Sequence, residues 1–451
     1  MAKLGISTVT VHAAPRRLPA ILSIVLFALV IFCVVTLLTR QYQKHRGAGA
    51  VAAPGAPTVA YGETPETSGA QGRFTANIAY TSIAAPDNGK VTSQVTWDDD
   101  WFSHEPFEYN HELATASSVI AALAYAESTY YQAGSAQPAY MENALAKLGF
   151  DDVSTASYRY RSEIVDEVLN LFTDDSDTVA YTIARKHLEV GEGEAARDLI
   201  LVSIRGSYGS EWLSNLKLAP EGGAHESSSE DAFDALEHGG YASAAEEVSA
   251  ELNRWIAESR RGGAKAAVLL TGHSRGGAIA NLVAAELDDA DAGERSSRAP
   301  DVYAYTFASP ATTLSNTAHD ARYGNIFNIV NPADIMPYLP LRSWGYERYG
   351  VNLCLPAVDD VGFEEAYGEM RRSYTQTVGV ESGYDPDDKR AVDRVLSDVS
   401  KQVATVQDLM TPAGVAAAIA SCATHIDPIR ILHGHYPSTY IAWMETLDTL
   451  V

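Results

Sequence analysis

The chain has 451 residues, of which 46% are hydrophobic and 20% charged, and it carries a formal net charge of −25. That length and composition supply a sizeable core and are ordinary for a globular α/β protein. The acidic balance excludes sequence-independent binding to nucleic acid, because the field would repel phosphates, and it disfavours adsorption to bare anionic headgroups.

Leu18–Thr39 is a run of 22 residues without a charged side chain. At a rise of about 1.5 Å per residue it matches the roughly 30 Å hydrocarbon core of a bilayer. Lys3, Arg16 and Arg17 precede it, and Arg40, Lys44 and Arg46 follow it. The only small-residue stretch suited to signal cleavage, Ala50-Val51-Ala52, stands beyond that basic segment, so the pattern predicts an uncleaved anchor. The working orientation puts the N-terminus in the cytoplasm, making this a single-pass cell-membrane protein with an extracytoplasmic bulk. Residues 1–46 are thus read as tail and transmembrane helix. Residues 47–90, rich in Ala, Gly, Pro and Thr at their start, are read as a flexible linker. The globular part is expected over 91–451.

Helical and strand patterns alternate from there. Apolar spacing predicts helices over Leu113–Tyr131 and Ile164–Phe172. Val179–Leu188 and Asp198–Arg205 read as strands around the turn-forming Gly191-Glu192-Gly193, and Ala242–Ser259 reads as an amphipathic helix. Ala266–Leu270, Val302–Phe307 and Ile326–Val330 are short apolar runs of the buried parallel-strand type. This order predicts an α/β fold with a mostly parallel central sheet flanked by helices.

Gly272-His273-Ser274-Arg275-Gly276 fits G-x-S-x-G between the strand at Ala266–Leu270 and a helix at Ala278–Leu287. Strand, tight turn and helix are the context in which this pattern exposes a nucleophilic serine. The glycines allow the close backbone approach, and the helix N-terminus aims its dipole at developing negative charge. Ser274 is therefore the candidate nucleophile. His273, adjacent in sequence, is expected to point away and be structural.

Thr271–Ala278 resembles the nucleophile elbow of the class 3 (fungal-type) lipases and their bacterial relatives. Further segments agree in order. Ile204-Arg205-Gly206-Ser207 is similar to that family's oxyanion segment, with Trp212 and Asn215 following. His238-Gly239-Gly240-Tyr241 resembles its HxGF signature with Tyr for Phe. Thr306-Phe307-Ala308-Ser309-Pro310 resembles TFGSP with Ala for Gly, and Asn331–Pro337 resembles the segment that holds the acid. Tyr109-Asn110-His111-Glu112-Leu113 is similar to the bacterial members, so the resemblance runs from about Tyr109 to the C-terminus. It implies an α/β-hydrolase fold in a bacterial relative of those lipases, which the run at Leu18–Thr39 makes a membrane-anchored one.

In that fold the triad follows the chain order Ser, acid, His. Asp334, just past the run Ile326–Val330, is the candidate acid, with Asp359, Asp360 and Asp427 as weaker competitors. His425, His433 and His435 are the histidines after it. The segment His435–Tyr440 is similar to the bacterial relatives' base segment, which favours His435. His433, three residues before a tyrosine, is the alternative base. The backbone N–H of Arg275, directly after the nucleophile, is one oxyanion-hole candidate; the resemblance adds the N–H of Ser207, with its hydroxyl as a further donor, while Arg205 and His238 are read as structural.

Asp334 and His435 stand farther apart than one loop and helix require, and Arg390–Leu409 and Pro412–Cys422 read as helices. A helical insertion is expected around 360–422; it and Gly209–Gly239 are candidate lids. Of three cysteines, Cys33 lies in the apolar run, leaving Cys354 and Cys422 as a disulfide or as two buried thiols. No CxxC and no Cys/His set at zinc spacing occurs, so no metal or organic cofactor is expected. The resemblance implies a serine hydrolase of carboxylic esters, with a lipid ester as the expected substrate. The alternative is a non-catalytic, membrane-tethered binding module on the same scaffold; a serine peptidase is disfavoured by the resemblance.

Overall fold

The computed structural model describes residues 70–450 apart from 87–88, 134–139, 157, 159–178, 190–195, 207–238, 295–298, 410 and 428–429. The expected anchor at 18–39, most of the expected linker, the helix at 164–172, Ser207 and nearly all of the candidate lid at 209–239 lie outside these residues. Among the described residues no helix is long and apolar enough to cross a membrane.

The first element among the described residues stands inside the segment expected to be linker. β1 (Arg73–Thr81) and β2 (Lys90–Asp98) form an antiparallel hairpin, in register from Arg73↔Asp98 to Thr81↔Lys90. Ile78 and Tyr80 alternate inward on β1, as do Val91, Val95 and Trp97 on β2. The reading of a flexible linker is therefore corrected at Arg73–Thr81 and Lys90, which are strand. Polar and small residues interleave with that alternation, which is why composition alone hid it.

Beyond the hairpin come helices α1 (His111–Ala133) and α2 (Tyr140–Lys147), then a seven-stranded sheet. Its strands are β3 (Asp152–Ala156), β4 (Tyr181–Leu188), β5 (Arg197–Ile204), β6 (Lys265–His273), β7 (Asp301–Phe307), β8 (Ile326–Val330) and β9 (Val351–Cys354). They lie side by side in that order, with β3–β4 and β4–β5 antiparallel and β5 through β9 parallel. The expected mostly parallel α/β sheet is what forms.

Strand periodicity sorts each central run onto two faces. Leu199, Leu201, Ala267, Leu269, Tyr303 and Tyr305 pack with α1, whereas Ile200, Val202, Val268, Leu270, Val302 and Ala304 pack on the opposite side. That second face is covered by α3 (Gly239–Arg261) and α4 (Arg275–Glu294). Both faces are dry, so these strands read as unbroken apolar runs rather than as alternating ones.

After β9 come α5 (Phe363–Val378), α6 (Asp388–Gln402), α7 (Val406–Leu409) and α8 (Pro412–His425). Phe363, Met370, Tyr374 and Val378 of α5 join the main core, while Val395 and Val399 of α6 close a small core over Leu341. The chain ends in α9 (Arg430–His435) and α10 (Pro437–Thr446), whose Trp443 is fully buried. Cys354 and Cys422 are free thiols, each with its pKa raised by burial.

Candidate active site

The turn after β6 is shaped by contacts that only hydrogen at Cα permits. A Cβ on Gly272 would lie 2.3 Å from the carbonyl oxygen of Gly276, and one on Gly276 would lie 2.1 Å from that of Ile204. Between them Ser274 adopts the left-handed region at φ 57°, an uncommon conformation for a side-chain-bearing residue. Its N–H donates to the Phe307 carbonyl at 2.8 Å and its carbonyl accepts from Ala278 N at 3.1 Å. The elbow is thus clamped between β7 and the first turn of α4. Arg275 opens that helix, whose positive dipole end faces the Ser274 side chain's turn.

The acid and the base reach this point from opposite ends of the later chain. Asp334 sits in the turn after β8 and is buried; its Oδ1 accepts from Met336 N at 2.9 Å. Its Oδ2 accepts from Tyr440 Oη at 2.8 Å and from His435 Nδ1 at 2.7 Å. The other ring nitrogen, His435 Nε2, lies 3.0 Å from Ser274 Oγ. Because the carboxylate accepts a hydrogen bond from Nδ1–H and so holds the proton on that nitrogen, Nε2 is left as an acceptor directed at the serine hydroxyl.

The other candidates are placed elsewhere. His433 packs edge-on to Tyr436, with its imidazole pKa lowered by burial, and no contact of its ring reaches Ser274. His425 lies 3.1 Å from Asp398, and Asp359 and Asp427 engage Arg390 and the Arg430 N–H. Asp360 accepts from Ala357 N. Ser207 falls outside the described residues, but the chain leading to it is set against the elbow. A Cβ on Gly206 would lie 2.4 Å from the His273 carbonyl oxygen and 2.1 Å from Tyr125 Oη.

His273 is buried beneath the elbow. Its Nε2 donates to the His435 carbonyl at 2.8 Å, and its Nδ1 accepts from Tyr125 Oη at 2.9 Å. Burial, then the proximity of His435, holds its pKa well below the usual histidine value, so it stays neutral. That suits a ring whose centroid is 4.8 Å from that of His435, since a second cation there would oppose protonation of the base.

Sequence reasoning missed three residues that complete this arrangement. Tyr440 accepts from Asn331 N at 3.1 Å while donating to Asp334, and Asn331 Nδ2 donates to the Gly434 carbonyl at 2.8 Å. Tyr125 on α1 anchors His273. Tyr440 and Asn331 stand in segments the sequence had singled out, after the base and before the acid; Tyr125 lies far away in sequence and left no signal. The motif Tyr109–Leu113 turns out to be architectural. Asn110 Oδ1 caps α1 through Leu113 N, and His111 Nε2 donates to the Met444 carbonyl at 2.9 Å. Among the described residues, no cluster of His, Cys, Asp or Glu could hold a metal ion.

Residues 201–344 match the family model for lipase (class 3). The chain is similar to a deletion mutant of the Rhizomucor miehei lipase propeptide complex at 21% identity, with 54% of this chain and 66% of that one covered and a TM-score of 0.35. It is similar to a lipase from Rhizopus microsporus var. chinensis at 17% identity, covering 54% and 74%, TM-score 0.36. Lipase II from Rhizopus niveus aligns at 18% identity, covering 54% and 80%, TM-score 0.36. Among curated proteins nothing matches.

Proposed function

We propose, from the class 3 lipase pattern carried by residues 201–344, that this protein is a serine hydrolase of carboxylic esters, with lipid esters as its substrates. The observation that carries the reading is the hydrogen-bonded chain from Ser274 Oγ through His435 to the buried Asp334. In this mechanism His435 Nε2 takes the Ser274 proton as Oγ attacks the ester carbonyl carbon. Asp334 holds the tautomer and stabilises the imidazolium. The backbone N–H of Arg275, with that of Ser207, stabilises the tetrahedral oxyanion; removing one such donor typically costs about 10²–10³ in rate. Collapse returns the proton to the departing alcohol and leaves an acyl group on Ser274. A water molecule, deprotonated by the same imidazole, then releases the acid.

Membrane attachment through residues 18–39, with the hydrolase domain outside the cytoplasm, is part of the proposal and rests on the uncharged run alone. The decisive test is a fluorophosphonate probe applied to the full chain. Labelling that disappears in Ser274→Ala is the expected result; a folded wild type that resists the probe would instead favour a binding module. Hydrolysis of an ester series of rising chain length, as monomers and as emulsions, then fixes the substrate class. A rate that jumps above the solubility limit identifies a lipase; a preference for soluble short esters identifies an esterase.

A further inference from the structure

The helical insertion meets the segment that carries the base at two places and reaches it at a third through Asn331. The loop joining α5 to α6 places Tyr384 in the core, where its hydroxyl donates to Asn331 Oδ1 at 3.2 Å. Asn331 in turn donates from Nδ2 to the carbonyl of Gly434, the residue before His435, and stands three residues ahead of Asp334. One residue earlier in the same loop, a Cβ on Gly383 would lie 2.6 Å from Nε2 of His433. At the start of α6, Asp388 is buried and accepts from Nε and Nη2 of Arg430, the first residue of α9, at 2.9 and 2.6 Å. The Tyr384 ring is itself fixed, with Tyr367 Oη donating to its carbonyl at 3.0 Å and Trp443 at an edge-on 6.5 Å.

We propose that the loop between α5 and α6 is a strut for the base, and that Tyr384 is a positioning residue acting on His435 through Asn331. The insertion is then a built-in part of the triad's support rather than a cover that must move aside. The geometry gives the reason. His435 ends a six-residue helix, too short to hold its own orientation, so its ring direction depends on what grips Gly434 and Arg430. Asn331 grips the acid segment and the base segment at once, and Tyr384 fixes the Asn331 amide by occupying its oxygen. Releasing that amide lets the base drift relative to the serine, and misplacement on the order of 1 Å lowers proton-transfer efficiency steeply.

The inference rests on the hydrolase reading, and its test separates the two. The full chain and its variants are assayed for the fluorophosphonate labelling rate, for kcat and KM on a soluble p-nitrophenyl ester, and for the pH dependence of labelling. Tyr384→Phe keeps the ring and removes the hydroxyl. It is expected to slow labelling and kcat together by about five- to tenfold, leave KM unchanged and displace the acidic limb of the pH profile. Tyr323→Phe, which deletes a 2.8 Å phenol bond to Asp289 on the other face of the sheet, is expected to leave labelling at the wild-type rate. In an Asn331→Ala background the Tyr384→Phe change should add no further loss. Gly383→Ala, which pushes the base segment without removing a hydrogen bond, carries the same expectation should Tyr384→Phe fail to fold. Wild-type labelling rates in both Tyr384→Phe and Gly383→Ala, or full additivity with Asn331→Ala, overturn the strut and leave the hydrolase standing. A folded wild type that the probe does not label overturns both.

Discussion

Ser274 and His435 meet at hydrogen-bonding distance, yet their surroundings hold them by different physics. The serine is fixed by main chain, through sterics at Gly272 and at Gly276 against the Ile204 carbonyl and through backbone hydrogen bonds to Phe307 and Ala278. The histidine stands on a short helix whose position is set by Asn331, Tyr384, Tyr440 and Asp388, side chains that come from both sides of it in the chain. A clamp made of main chain tolerates no added atom at its glycines. A distributed one spreads its dependence over side chains that each bear part of it.

That contrast predicts the largest effect at the elbow. Gly276→Ala would drive a Cβ to 2.1 Å from the Ile204 carbonyl, against backbone that cannot yield. A loss of folding stability of about 3 kcal/mol or more, with activity abolished, is the expected result in chemical denaturation and ester assays. Gly276→Ala that retains wild-type stability would break the comparison from its rigid side.

On the distributed side the effect separates by residue. His435→Ala should keep the fold and lower kcat by about 10⁴ or more. His433→Ala, two positions away, should lose about tenfold at most. Steady-state kinetics on a soluble ester reads both; equal losses would reopen the choice of base.

Next comes a pH dependence of stability with two opposing parts. His273 is held neutral by burial, so below about pH 6.5 the unfolded chain binds a proton that the folded one refuses. Stability from this group is therefore complete above that pH and falls as the solution is acidified. Glu127, buried on α1 with one oxygen accepting from Met141 N, behaves the other way. Burial raises its pKa from 4.5 to about 7, so the folded state keeps a proton that the unfolded chain gives up, and stability falls as pH rises across that window. Glu127→Gln should raise the melting temperature by a few degrees at pH 8 and leave it unchanged at pH 5, as read by calorimetry.

The smallest effect is expected at Ala308, which follows β7 at φ 53° where the family's pattern carries glycine. Ala308→Gly relieves a left-handed side chain and should gain about 0.5 kcal/mol in a denaturant titration, the relief being partly offset by the entropy of glycine in the unfolded chain.

The same division explains what could be read from the sequence. The elbow, the parallel runs at β6, β7 and β8 and the acid turn at Asp334 were legible, because each depends on neighbours within a few residues. The five-residue spacing from His435 to Tyr440, read through the family resemblance, ranked His435 above His433. The hairpin at Arg73–Thr81 was not, since its alternation is carried by Phe74, Ala76, Ile78 and Tyr80 among polar residues next to a loop-like segment. Nor were Asn331, Tyr125 and Tyr384, whose hydroxyl and amide contacts are created only when segments 53 to 148 residues apart are brought together. Hydrogen-bond partners of that kind leave no period and no spacing to detect.

The positive φ at Ser274 has one more consequence, for which nucleophiles the position can ever hold. Cysteine, unbranched at Cβ, can enter the same backbone well and would turn the site toward thiol chemistry. Threonine cannot do so without strain, because its second Cβ substituent crowds the main chain in that well. The turn thus acts as a steric filter on the chemistry open to this scaffold, admitting a sulfur for an oxygen while refusing one extra methyl group.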